Sequence, residues 1–274
     1  MLIRSLIFLC LAAPVHAQQT LSYSVLPGEP CHGRNVPCEL DDRTYNVKEP
    51  DGWDGVSSLP VMLHFHGWGR TGSVPVYHSR ISGETRKRGV LLVAPTGRNR
   101  TWSFRSVHSA DVSFANDVLD DVAARYPIDR DRIYVSGYSF GSAMAWRYVC
   151  DSGNGIAALL AVAGTLNQTQ TCPEGPQEVR HVHGKSDTVM DFPMGAGGDT
   201  LYPVALWRSQ FSCDPEHEVT QWAATDDIAF ERHDWTNCAS GKRTVLDLHP
   251  GGHFIPRGWF GAQLDDLLSD NSER

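Results

Sequence analysis

The stretch Arg132-Ile133-Tyr134-Val135-Ser136-Gly137-Tyr138-Ser139-Phe140-Gly141, continued through Ser142 to Val149, decides the fold. Arg132 to Val135 reads as a strand and Ser139 to Val149 as a helix. Glycines stand two residues before and two after Ser139, so the backbone can bend sharply from strand into helix. Such a turn exposes the serine hydroxyl at the positive end of a helix. An ordinary glycine turn, with Ser139 as a helix cap, would use the same residues.

Working outward, strands alternate with helices. Arg43–Lys48, Leu59–Phe65, Val90–Ala94, Ile156–Val162, Glu178–His183 and Val245–Leu248 read as strands, and the central ones are mostly Val, Ile and Leu. Helical spacing marks 75–88, Ala110–Tyr126, Pro203–Phe211 and Trp259–Leu268. In Ala110–Tyr126 the apolar positions Val112, Phe114, Val118 and Val122 share one face while Asp117, Asp120 and Asp121 lie outside. Residues 18–42 are loop-rich. The pattern predicts an α/β fold, with a mainly parallel sheet covered by helices on both faces, in a single domain over 18–274. In such sheets chemistry gathers at the loops that follow the carboxyl ends of strands.

A serine hydroxyl needs a base to take its proton, and the base needs an acid to orient it. His181-Val182-His183-Gly184-Lys185-Ser186-Asp187 is a strand running into a loop that ends in a carboxylate. Leu246-Asp247-Leu248-His249-Pro250-Gly251-Gly252-His253 is a later strand running into a glycine-rich loop that ends in a histidine. Ser139, Asp187 and His253 therefore each follow a strand end and are the expected catalytic residues. Asp191 is a competing acid, Asp227 and Asp234 are less well placed, and His249 is the alternative base.

His66-Gly67-Trp68-Gly69 follows directly on the strand Leu59–Phe65. Acyl transfer builds negative charge on a carbonyl oxygen, which preorganised N–H donors stabilise. The expected oxyanion-hole donors are the backbone N–H groups of Phe140, just after the serine, and of Trp68. Gly184-Lys185-Ser186 resembles the end of a phosphate loop, but Val179 stands where its first glycine is required. The pairs His64/His66 and His181/His183 could each face a metal, yet no acidic or cysteine partner falls at ligand spacing, and no metal site is expected.

The 274 residues carry 24 Lys plus Arg against 32 Asp plus Glu, a net charge of −8. So acidic a chain is poorly suited to nucleic acid or anionic lipid, whose binding needs a basic face. Arg4, the apolar run Leu6–Ala13 and the small residue Ala17 read as an export signal cleaved after Ala17, which predicts a secreted or periplasmic protein without a membrane anchor. Beyond Cys10 there are six cysteines, an even number suited to disulfides in an exported chain. Sequential pairing of Cys31 with Cys38, Cys150 with Cys172 and Cys213 with Cys238 closes three short loops, each worth about 2–4 kcal/mol.

Together these residues resemble the alpha/beta-hydrolase superfamily, and within it the secreted branch of feruloyl esterases, acetylxylan esterases and polyhydroxybutyrate depolymerases. The likeness rests on the serine turn, the Asp187 and His253 loops and His66-Gly67. It rests also on Asp111-Val112-Ser113-Phe114, Tyr126-Pro127-Ile128-Asp129 and Ala161-Val162-Ala163-Gly164. The pairs 150/172 and 213/238 are similar to the family's cysteine placement. The resemblance implies acyl transfer to Ser139 and then to water, with no cofactor. Three departures stand near the expected pocket: Ser142 in place of a glycine, Thr101 in place of a cysteine, and Phe254-Ile255-Pro256 after the histidine.

Trp68, Trp102, Phe254 and the loop 188–202 are expected to line the acyl pocket. Aromatic walls suit a flat phenolic acyl group, so small aromatic or plant-wall esters rank first and short hydroxyalkanoate oligomers second. A binding protein on a degenerate hydrolase scaffold is the rival of another class, because a fold does not establish catalysis. A serine peptidase of similar fold is disfavoured, since no propeller or cap domain fits in the chain.

Overall fold

A computed structural model describes residues 36–166, 172–190 and 202–269. The expected export signal, Cys31 and Asp191 lie outside the described residues. Ten strands form one sheet: β1 (Cys38–Leu40), β2 (Arg43–Lys48), β3 (Leu59–Phe65), β4 (Leu91–Pro95), β5 (Ile128–Tyr138), β6 (Ala158–Val162), β7 (Glu178–Gly184), β8 (Glu218–Thr225), β9 (Ile228–Trp235) and β10 (Arg243–His249). Their spatial order is β1-β2-β4-β3-β5-β6-β7-β10-β9-β8. The six central strands, β4 to β10 in that order, are mutually parallel, while both edges are antiparallel.

Strand β3 shows why the sheet is covered twice. Leu59, Val61, Leu63 and Phe65 enter one apolar cluster, and Met62 enters the other. That alternation is the period of two of a pleated strand. The first cluster packs against α3 (Ala110–Arg125), α4 (Phe140–Ser152) and α5 (Tyr202–Gln210). The second packs against α1 (Ser73–Tyr77) and α6 (Trp259–Ser269) and includes Ile81, which precedes α2 (Ser82–Arg86). Cys150, in α4, is bonded to Cys172, and Cys213, after α5, to Cys238.

Four features differ from the sequence reading. The expected helix 75–88 is broken into α1 and α2, because the backbone turns extended at His78 (φ −80°, ψ 113°). Strand β5 begins at Ile128, four residues before the Arg132 start read from the sequence, with Asp129, Arg130 and Asp131 leaving that part no apolar signature. Within the segment read as loop, Cys38–Leu40 is a short edge strand. The hairpin β8–β9 was not anticipated, since Glu218 to Gln221 are exposed at the edge and show no alternation.

The chain passes from β3 outward to β4 and returns across the sheet to β5. The loops after β3 and β5 therefore diverge, opening a crevice at the carboxyl ends of the strands.

Candidate active site

Ser139 occupies the turn between β5 and α4 at φ 58° and ψ −123°. A Cβ on Gly137 would strike the backbone of Gly141, and a Cβ on Gly141 would strike the Phe65 carbonyl. Only glycines therefore permit this turn against the end of β3. The Ser139 hydroxyl makes no capping hydrogen bond to α4. It lies 2.9 Å from Nε2 of His253 instead.

His253 Nδ1 lies 2.7 Å from Oδ2 of Asp187. With the proton on Nδ1, the imidazole donates to the carboxylate and leaves Nε2 to accept from the serine. Asp187 is 5% exposed, and its other oxygen accepts the N–H groups of Val189 (2.9 Å) and Met190 (3.0 Å). Burial pushes the Asp187 pKa up, but the hydrogen bonds from His253, Met190 and Val189 outweigh it and hold the carboxyl below its ordinary value. The structure thus brings Ser139, His253 and Asp187 into one hydrogen-bonded chain.

The alternatives point elsewhere. His249 accepts the Gly251 N–H and packs its ring against Phe254, supporting the His253 loop. Asp234 pairs with Arg243 at 2.6 Å and Asp227 lies 3.8 Å from Arg257.

Around this chain the loop after β3 is firmly braced. His66 donates from Nδ1 to the Gly67 carbonyl (2.8 Å), and its Nε2 accepts the Gly97 N–H (3.0 Å). Burial lowers the His66 pKa to about 4, so the ring is neutral in that role. His64 bonds the Ser136 hydroxyl at 2.8 Å, and burial lowers it to about 3. Gly69 and Arg70 donate their N–H groups to the carbonyls of Arg100 and Gly67, whereas the Trp68 N–H has no acceptor among the described residues. Phe140 opens α4, so its N–H belongs to the first turn that a helix leaves without internal acceptors. Trp68 and Phe140 both line the cavity beside Ser139.

That cavity has a volume of about 790 Å³. Trp68, Val189 and Phe254 stand in its wall, with Tyr138 and Ser139. Trp68 is 69% exposed and free to meet a ligand. Trp102 corrects the expectation: it is 5% exposed and does not reach the cavity. Its indole N–H donates to the His66 carbonyl (2.7 Å), and its ring packs on Phe65 and His66. Trp102 therefore supports the loop that carries Trp68. Of the departures, Phe254 and Ile255 border the cavity, while Ser142 packs behind it against Gly164. The loop 188–202 is described only at its ends.

Two further residues support the site through partners that the sequence does not show. Tyr138 donates its hydroxyl to the His253 carbonyl (2.9 Å) and packs its ring on the imidazole. His183 donates from Nε2 to the Met190 carbonyl (2.8 Å) and so closes the Asp187 loop, while its Nδ1 accepts from His181 (3.1 Å). Tyr138 fills a variable place of the serine motif, and His183 read as one of a strand pair; neither position signals its partner.

No protein-family model matches the chain. It is similar to feruloyl esterase D of Neurospora crassa, 25% identical over 242 residues that cover 81% of this chain and 78% of that protein. Feruloyl esterase C of Emericella nidulans is 26% identical over 248 residues, 82% of this chain and 85% of that one. Among solved structures, an acetyl xylan esterase from Aspergillus awamori superposes with a TM-score of 0.62 at 12% identity, covering 82% of this chain and 94% of that one. At that identity the structural likeness establishes the fold, and the sequence relatives carry the chemistry. The chain is an esterase, a carboxylic ester hydrolase of the alpha/beta-hydrolase fold, related in sequence to feruloyl esterases and in structure to an acetyl xylan esterase.

Proposed function

We propose that the protein is an exported serine esterase that cleaves small aromatic, feruloyl-type or plant-wall esters through an acyl-enzyme on Ser139. The observation that carries this reading is the unbroken hydrogen-bond chain from Ser139 through His253 to Asp187, set on a strained strand-to-helix turn. His253 Nε2 takes the proton as Ser139 Oγ attacks the ester carbonyl. Asp187 holds the Nδ1–H and stabilises the imidazolium. The oxyanion accepts from the N–H groups of Phe140 and Trp68, donors whose loss typically costs about 3–4 kcal/mol each. The leaving alkoxide receives the His253 proton, and the acyl group stays on Ser139 Oγ. Water then attacks with His253 again as base, and the carboxylic acid departs with the serine restored.

Trp68 and Phe254 support a flat acyl group, and two relatives are named feruloyl esterases. The two described disulfides support an oxidising compartment, and no described helix is long and apolar enough to cross a membrane. Release of ferulate from methyl ferulate, with Ser139→Ala as the blank, tests the reading. Serine-dependent release is expected. Turnover by the Ser139→Ala protein at the wild-type rate would remove the nucleophile, and serine-dependent release of hydroxybutyrate from its trimer alone would replace the substrate class.

A further inference from the structure

The described residues that line the cavity beside Ser139 include arginines and no carboxylate, in a protein whose net charge is −8. No Asp or Glu is among its lining residues, whereas Arg70 and Arg80 both are. Many other guanidiniums of the chain are closely paired, among them Arg88 with Glu84 and Asp265, Arg232 with Asp247, and Arg243 with Asp234. Arg70 and Arg80 have no carboxylate partner among the described residues. Arg80 uses one N–H, from Nη1, on the Ile255 carbonyl at 2.6 Å. That bond fixes the guanidinium beside the loop carrying His253, and its other donors have no partner among the described residues.

The placement is a consequence of local structure. The break between α1 and α2 brings His78 and Arg80 to one wall of the cavity, and the turn closed by the Arg70 N–H on the Gly67 carbonyl brings Arg70 to the rim. His78 also lines this wall, with its Nδ1 buried behind it and without a partner among the described residues. Burial, and then the Arg80 charge, hold the imidazole below its ordinary pKa, so at neutral pH it is an uncharged group able to donate or accept.

A neutral ester in this cavity would leave the two guanidiniums without an anionic partner among the described residues. A carboxylate would be met by donors in the fork geometry that guanidiniums offer to carboxylates. We infer that the preferred substrate is an ester that carries a free carboxylate besides the scissile group, held by Arg70 and Arg80 while Ser139 attacks. The inference rests on the esterase reading of Ser139 and narrows its substrate class. The carboxylate could sit on the acyl side, as in a half-ester of a dicarboxylic acid or a hydroxyacid oligomer, or on the alcohol side, as in an acylated acidic sugar; the binding chemistry is the same.

Two pairs of esters of matched shape separate these sources. Monomethyl adipate is compared with methyl 6-methylheptanoate for the acyl side, and 4-acetoxybutanoate with 4-methylpentyl acetate for the alcohol side, all by pH-stat at low salt. The readout is the ratio of kcat/KM for the anionic ester to that for its neutral partner, so that a general loss on cutting the Arg80–Ile255 bond cancels. In at least one pair the Arg70→Gln/Arg80→Gln protein should show a ratio lower than wild type by about 10-fold or more, the scale of one lost charged hydrogen bond. Arg80→Lys, which keeps the charge, should retain most of the preference, and Arg70→Gln alone, at an exposed position, should lose part of it. Ratios unchanged by the double substitution in both pairs would overturn the inference while leaving the esterase reading intact. Ser139-dependent turnover of methyl ferulate but of none of the four esters would likewise overturn the inference, whereas absence of Ser139-dependent turnover on all five would overturn the reading beneath it.

Discussion

A serine at φ 58° lies in a backbone region that L residues avoid, at a cost of about 1–3 kcal/mol. The surrounding structure holds it there, and its hydroxyl is aimed away from α4 and toward His253. Each partner is in turn held by a neighbour: His253 by the Tyr138 hydroxyl, Asp187 by two backbone N–H groups, and the Asp187 loop by His183. A carboxylate at Asp187 can only accept from Nδ1–H, whereas an amide can donate there and favour the wrong tautomer. Asp187→Asn should therefore lower kcat/KM on the ester used for wild type by about 10³-fold or more. Steady-state kinetics check this, and a loss within about 10-fold would assign the orienting acid elsewhere.

At the scale of elements, the site is assembled from four strand ends that the sheet order sets close together. β3 supplies the Trp68 loop, β5 the serine turn, β7 the Asp187 loop and β10 the His253 loop. Gly141 is where two of them touch, since the first turn of α4 passes directly over the end of β3. Gly141→Ala would force that turn away from the Phe65 carbonyl. It should destabilise the fold by about 1–3 kcal/mol and displace Ser139, with a fall in kcat larger than the change in KM. Urea unfolding and kinetics on the same preparation check both parts. Wild-type stability with wild-type kcat would mean that the turn can relax without cost.

Across the whole molecule, buried imidazoles tie stability to pH. His64 is held at about 3, and His66 and His249 at about 4, all through burial, against an ordinary value of 6.5. The unfolded chain takes up protons on these rings as pH falls below 6.5, while the folded chain does not until pH nears 4 or 3. Stability from these groups is therefore full above 6.5 and declines as pH drops through that window. Unfolding near pH 5 should take up about three protons from these rings, and the urea midpoint should fall steadily between about pH 7 and 5. A midpoint constant over that range would show that the rings titrate normally in the fold. The hairpin β8–β9 and α6 belong to the same scale, because one buried carboxylate anchors both. Asp247 of β10 accepts from Trp222, Trp259 and two nitrogens of Arg232, each at 2.8 Å.

The apolar strands, the spacing of the amphipathic helix 110–126 and the glycines around Ser139 determine the architecture without any tertiary knowledge, because each is a local pattern. The same holds for Ser139, Asp187 and His253 as candidates: each stands just after a strand, a position visible in the chain. Which indole meets a ligand was decided by packing alone, since Trp68 and Trp102 both follow strand–loop junctions and differ only in what covers them. The break at His78, the edge hairpin and the roles of Tyr138 and His183 likewise depend on partners distant in sequence or on backbone geometry. Composition makes the chain acidic; only the fold sets Arg70 and Arg80 in the cavity wall, because charge is read from sequence as a sum and felt by a ligand as a position.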